Sequence, residues 1–232
     1  MPNPAQLPVV QPGSASFVLL VVCELLVPVI AERAPGGPTT YHPHHIAERY
    51  GLFTIIVLGE AIASATVAIR TGLDGGEYLT DLVSLAIAGL IIVFALWWLY
   101  FDRPAHGLLT SLRTSILWGY GHYFILASAA AVGAGLGVVV DYDTHHAEIS
   151  GTAAGFAVAI PVAVYLFVVW LLHVRPHQSG LLMIAYPVVT VLTLLAPLGP
   201  APIHVIAGLL AVLVAITVAL GRRVPDRISP AG

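Results

Sequence analysis

The chain alternates between long apolar runs and short polar segments, a pattern typical of a protein that crosses a membrane several times. Most of the runs reach the 17–25 or so residues that a helix needs to span a bilayer. The shortest, at the N-terminal end, is interrupted by Glu24 and Pro28. We therefore predict an all-α fold, a polytopic transmembrane helical bundle of about seven spans. The seven runs are Phe17–Ala31, Tyr50–Arg70, Leu82–Phe101, Thr114–Val140, Gly151–Val174, Leu181–Leu198 and Pro202–Leu220.

The segments between the runs are too short to fold on their own, so the sequence predicts one membrane domain. It would cover residues 17–221, after a Pro-rich lead (1–16) and before a short cytoplasmic tail (222–232). The lead has no positive charge, so it does not resemble a cleaved signal peptide.

Composition supports this assignment and excludes several functions. Only 9% of the residues are charged and 58% are hydrophobic, whereas soluble domains carry about 25% charged residues. All nine basic residues are arginine, which excludes chemistry that needs a lysine amine, such as a Schiff base to retinal or pyridoxal phosphate. The single cysteine, Cys23, allows no intrachain disulfide. A net charge of −3 with no basic stripe gives no reason to expect a nucleic-acid partner.

The arginines predict the orientation. Eight of the nine fall in segments on one side of the predicted bundle, and only Arg70 falls on the other, which carries Asp and Glu instead. Positively charged segments stay in the cytoplasm, so we expect the C-terminus to be cytoplasmic and the N-terminus outside. The four tryptophans also lie near the predicted inner ends of their spans, as interfacial residues do. They are Trp97, Trp98, Trp118 and Trp170.

Three ionisable residues inside apolar runs are the first candidates for function: Glu60, Glu24 and His122. Counted from the inner ends of the predicted spans, they lie within about one helical turn of each other in depth. We predict that they share one intramembrane polar site that binds a proton or a small cation, because intramembrane carboxylates are costly and are usually functional. Each also has a plain structural interpretation, as a hydrogen-bonded Glu, a proline kink or a satisfied His.

A second group lies at the predicted inner mouth, where His45, Glu48 and Arg49 precede the second run. These charges, with Arg103 and Arg113, would lock helix ends through salt bridges. His42, His44, His45, His106, His173 and His177 are all expected at the inner surface. They could hold zinc, but the spacing is not diagnostic, and we predict no metal site and no cofactor.

The run from His45 through Glu48-Arg49 and Gly51-Leu52-Phe53-Thr54 to Leu58-Gly59-Glu60 resembles the bacterial low temperature requirement A (LtrA) family. The segment 97–101 (WWLYF) and the later Gly121-His122 are similar to further features of that family, in the same order. Family members are usually longer, with additional spans before this point, so the chain resembles the C-terminal portion and is expected to be truncated or naturally short. The resemblance implies a bacterial multi-pass membrane protein linked by name to growth at low temperature, without a substrate or mechanism.

These observations leave two main functions open. The first is a proton- or cation-coupled transporter or channel in the cell membrane, built around the Glu/His site. The alternative is a non-transporting scaffold or sensor, and a membrane enzyme is least supported, so we predict no enzymatic activity. The expected partners are the lipid bilayer and a small ion or solute. A homo-oligomer is left open.

Overall fold

The structure is a computed structural model that describes residues 14–32, 42–73, 79–177 and 180–221, in which all regular structure is helical. The chain divides into two units, residues 1–41 and 42–232. In the first unit, α1 (Ser14–Ala31) carries Glu24 and Pro28 and begins inside the predicted lead. Most of its side chains are exposed. The tail at 222–232 lies outside the described residues.

The second unit contains six longer helices, and every predicted apolar run in it is helical. The helices are α2 (Pro43–Leu73), α3 (Leu79–Phe101), α4 (Leu112–Asp143), α5 (Gly151–Val169), α6 (Leu182–Leu195) and α7 (Pro202–Gly221). A π-helical turn, Trp170–Val174, continues α5, and 3₁₀ turns follow at Arg175–His177 and Ala196–Leu198. The helical fold class predicted from the sequence is thus confirmed.

Within the described ranges, five helical stretches are long and apolar enough to cross a membrane by length and composition, compared with the seven spans expected. They are Pro43–Arg70, Leu79–Phe101, Leu112–Asp143, Gly151–His177 and Pro202–Leu220, while Ala15–Ala31 and Leu182–Leu198 are shorter. The total number of spans and their orientation remain predictions.

Local sequence explains several helix ends. Proline is well suited to the first position of a helix, where no N–H is needed, and Pro43 begins α2 earlier than the apolar pattern indicated at Tyr50. Ser111 caps α4 by accepting a hydrogen bond from the Thr114 N–H (3.2 Å). Ser150 does the same for α5 through the Ala153 N–H (3.1 Å).

The helices alternate in direction, which gives the second unit two chemically different ends. We call one the arginine end, where α2 and α4 begin and α3 and α5 finish; its described arginines are Arg49, Arg103, Arg113 and Arg175. We call the other the acidic end; Asp81, Asp141, Asp143 and Glu148 lie there with Arg70. All four tryptophans lie toward the arginine end, as expected.

Small residues bring the helices close together in the middle of the bundle. A side chain on Gly133 of α4 would meet the backbone of Ala61 in α2, with only 2.7 Å to its Cα. On another face of α4, Gly135 is closer still to α5, against the carbonyl of Ala157. Between the two ends lies a continuous apolar core that includes Leu85, Ile92 and Leu96 of α3, Val132 of α4 and Val162 of α5.

Candidate functional site

A cluster of aromatic and histidine side chains lies at the arginine end, inside the bundle. We call Tyr50, Tyr100, Trp118, His122 and His173 the histidine cluster; they come from α2, α3, α4 and the π-helical turn after α5. His122 lies at its centre, with ring centroids 3.9 Å from Trp118 and 4.7 Å from Tyr50. The His173 ring lies 4.9 Å from that of Tyr100 and 5.8 Å from that of His122.

Hydrogen bonds define the state of His122, which has no exposed surface. Its Nδ1 is 2.8 Å from the carbonyl oxygen of Trp118, which can only accept, so Nδ1 carries the hydrogen. Its Nε2, 2.9 Å from the Tyr100 hydroxyl, then accepts a hydrogen bond from Tyr100. In its neutral form, His122 is therefore a fully paired imidazole.

The position of His173 differs from the one predicted from the sequence. The sequence placed it at the inner surface, but only 2% of it is exposed, because the π-helical turn continues α5 past Val169 and carries His173 into the bundle. Among the described residues, neither of its ring nitrogens makes a hydrogen bond of good geometry, although the backbone of Tyr100 interacts with the ring. Nε1 of Trp118 also lacks a hydrogen-bond partner there. Buried polar groups are nearly always paired, so these three atoms need an explanation.

A larger cavity opens at the acidic end. It has a volume of about 670 Å³ and is lined by residues from α3, α4, α5 and α7 and from the turn before α7. Its polar lining comprises Asp81, Asp143, His145 and His204, together with Ser84, Tyr142 and Thr152. Ser84 Oγ and His204 Nε2 form a 2.7 Å hydrogen bond that joins the beginnings of α3 and α7. Two carboxylates and two imidazoles thus face one open space.

The structure does not bring Glu60 and His122 together. Glu60 lies near the middle of α2 on its exposed face, whereas His122 is buried. Ala61, beside Glu60, contacts Gly133, and Gly133 is eleven residues along α4 from His122. At about 1.5 Å per residue, Glu60 and His122 therefore lie about 16 Å apart along the helix direction. Glu24 belongs to the other unit, so its part in a shared site stays a prediction.

The charged residues at the inner mouth pair locally. His45 Nδ1 is 3.5 Å from Glu48 Oε2, with both side chains well exposed, and Arg103 Nε is 3.6 Å from Asp102 Oδ2. Within the described ranges, no ion pair joins Glu48 or Arg49 to Arg103 or Arg113, so the predicted salt-bridged network is not formed there. Burial raises the pKa of the Asp102 carboxyl, and the neighbouring Arg103 guanidinium partly opposes this.

Four other histidines of this end form two ring pairs. His44 stacks on His106 at 5.3 Å, and His42 lies 5.2 Å from His45. In the part of the chain that the structure describes, no three His, Cys, Asp or Glu side chains come close enough together to hold a metal ion.

Sequence reasoning selected His122 but not the residues that surround it. Tyr100 lies in the 97–101 segment and Thr54 in the first motif, and Thr54 is fully buried beside this cluster. Three separate motif segments thus meet at one place, and that convergence was not visible in the sequence. Asp81 and Asp143 were noted only as part of the acidic side; they face the same cavity because α3 begins where α4 ends.

The apolar helices, their alternation and the polar regions at both ends define a multi-pass helical membrane protein. The model of the family described as bacterial low temperature requirement A protein (LtrA) matches residues 7–220, nearly the whole chain. The chain therefore belongs to the LtrA family, and the resemblance seen in its motifs is confirmed. No curated protein and no solved structure matches it.

Proposed function

We propose that this LtrA-family protein moves protons or a small cation across the bacterial cell membrane. The observation that carries the proposal is the cavity of about 670 Å³ at the acidic end, into which Asp81 and Asp143 both face. A cleft lined by one sign of charge concentrates ions of the opposite sign. Two carboxylates that share one space also repel each other, and binding a cation or a proton relieves that repulsion.

The geometry favours an ion that binds transiently. A tightly held structural metal would need several ligands at coordination distance, and no such group of three occurs among the described residues. The cavity is instead wide enough for a hydrated ion, with hydrogen-bonding groups around its wall such as Ser84, Tyr142 and His204.

Glu60 is the second element of the proposal. It lies near the middle of α2, in a stretch long and apolar enough to span a bilayer. A carboxylate at that depth is costly unless it is protonated, paired or reached by water. We assign it the role of an intermediate proton or cation site between the two ends.

Ion flux in proteoliposomes tests the function. A double Asp81→Asn, Asp143→Asn variant should lower cation or proton influx by about tenfold or more, since electrostatic focusing changes encounter rates by factors of about 10–1000. Asp141→Asn is the matched control, because Asp141 is exposed on the same helix end but does not line the cavity. Wild-type vesicles that leak no faster than empty ones, for protons and for Na⁺ or K⁺, would contradict transport and leave the scaffold or sensor role.

A further inference from the structure

His173 occupies an unusual position for an ionisable side chain. Only 2% of it is exposed, yet neither ring nitrogen makes a hydrogen bond of good geometry among the described residues. The backbone of Tyr100 interacts with the ring and can engage at most one of the two nitrogens. A neutral imidazole presents one N–H donor and one bare nitrogen that can accept a hydrogen bond or a proton. The bare nitrogen of His173 is therefore available for a proton, in contrast to His122, whose two nitrogens are both engaged.

The backbone at His173 supports a specific role for this residue. The five residues Trp170–Val174 form a π-helical turn, and such turns inside α-helices are rare and frequently lie at functional sites. The turn is stabilised from its far side, where Nδ1 of the exposed His177 donates to the carbonyl oxygen of His173 (2.7 Å).

The groups around His173 indicate which ligand it takes. They are the phenol group of Tyr100, the indole of Trp118 and the imidazole of His122. Tyr50 contacts His122 in turn. The charged groups nearby, Asp102 and Arg103, lie beyond the end of α3 and face Tyr186 of α6. Alkali and alkaline-earth ions require several oxygen ligands, usually with carboxylates, and the histidine cluster contains no carboxylate. Imidazole and phenol groups can instead exchange protons.

We propose that His173 is a proton-binding site, held by the histidine cluster at the arginine end of the bundle. This inference identifies the proton as the ion of the proposed function. Only the role of His173 in transport rests on that proposed function. One proton adds to the bare nitrogen of His173 and gives an imidazolium with two N–H groups. The Tyr100 hydroxyl, already donating to His122, can accept from one of them, because a phenol oxygen both donates and accepts. Release of the proton restores the neutral ring, and no other bond changes.

Nitrogen NMR of the full chain in lipid vesicles, with ¹⁵N at histidine, tests the site directly. The His173 signals are those missing in His173→Gln. Burial disfavours the charged imidazolium, so the titration covers a pH range from about 8 down to about 3, which extends below the pH of about 5–8 in which imidazoles usually titrate. Over that range the His173 signals should move from the neutral pattern to that of two N–H groups. Tyr100→Phe should displace this transition, since it removes the acceptor, whereas His106→Gln, at an exposed histidine outside the cluster, should leave it in place. A His173 ring that stays neutral over this range while the protein remains folded would overturn the inference.

Proton flux then separates the site from the function. His173→Gln should abolish the proton flux of wild-type vesicles, and His106→Gln should retain it. If His173 titrates but wild-type vesicles move no ion, the proton site stands and the transport function is wrong. If His173→Gln conducts protons as wild type does, the role of His173 in transport is overturned. A thermal melt of each variant in detergent shows whether a loss of flux is caused by unfolding. His173→Phe, which removes both ring nitrogens, should melt at a temperature no lower than that of the wild type.

Discussion

At the scale of single residues, the close contact between α4 and α5 at Gly135 coincides with a break in backbone hydrogen bonding. Pro161 lies inside α5 and has no N–H, so the carbonyl of Ala157, four residues earlier, loses its helical partner. Gly135 of α4 lies directly against that carbonyl. A glycine there lets the neighbouring helix cover a group that would otherwise face apolar side chains, and Cα–H···O contacts of this kind recur between helices.

Gly135→Ala is therefore expected to destabilise the protein. The added methyl group would collide with backbone, which cannot move as a side chain can, and overpacking of this kind costs about 1–3 kcal/mol. Gly137→Ala is the control, because its methyl group would meet only the Ala68 side chain at an ordinary 3.9 Å. Thermal unfolding in detergent measures both. Equal midpoints for the two variants would show that α4 and α5 separate easily at this point.

Asp102 gives a pH-dependent prediction at the same scale. Its pKa is raised by burial, with Arg103 opposing, so the folded state holds the proton more tightly than the unfolded state does. The resulting stability is present below the ordinary Asp pKa of about 3.9 and is lost as the pH rises through the higher folded value. Asp102→Asn should reduce the fall in the free energy of unfolding over that mildly acidic pH range. Glu148→Gln, in the exposed loop after α4, serves as the control, and a curve unchanged by Asp102→Asn would exclude this residue as its source.

At the scale of helices, the apolar pattern predicted which segments are helical but not where some begin or how they end. The start of α2 at Pro43 was missed because the residues before Tyr50 are polar, and polar residues form helix as readily as apolar ones once a proline begins it. The π-helical turn at Trp170–Val174 was missed for another reason. Its residues are apolar and read as ordinary helix, and the wider turn depends on packing against other helices. The buried position of His173 follows from that turn, so it too could not be predicted.

The pairing of α3 with α7 allows a test with a close internal control. Trp98 Nε1 donates a 3.1 Å hydrogen bond to Oγ1 of the buried Thr217 in α7. Trp98→Phe should therefore lower stability by about 1 kcal/mol, the usual net contribution of such a bond. Trp97 is exposed to nearly the same extent (40% against 38%) and has no such bond among the described residues, so Trp97→Phe should cost less. If the two variants have the same unfolding temperature, the hydrogen bond contributes nothing to the stability of the α3–α7 contact.

At the scale of the whole molecule, the charges at the two ends predict how the protein sits in the membrane. Each arginine next to a span favours retention of that end in the cytoplasm. We expect a reporter that works only in the cytoplasm to be active when it is fused after Gly232. A reporter that works only in the periplasm should be active when it is inserted within Asp141–Ser150. Activity of a periplasmic-type reporter at Gly232 would reverse the orientation, and the cavity at the acidic end would then open inward.

The fold class, the family and the polarity of the ends could be predicted because each depends on features that add up along the chain. The site could not, because it depends on which helices are neighbours. Glu60 and His122 were expected at similar depth, but α2 and α4 meet at Ala61 and Gly133, and this register separates them. Tyr100, by contrast, reaches His122 because α3 returns to the level at which α4 begins.

The apolar core between the two polar ends has an electrical consequence. Between Ser84 at the cavity and Tyr100 in the histidine cluster, α3 runs for sixteen residues, about 24 Å at 1.5 Å per residue. This is most of the roughly 30 Å thickness of a bilayer's hydrocarbon core. In a living cell the membrane voltage would fall mainly across this insulating layer, at about 2.3 kcal/mol per elementary charge for each 100 mV. Any ion that passes from one end to the other would do electrical work, so its movement would generate current and respond to the energised state of the membrane.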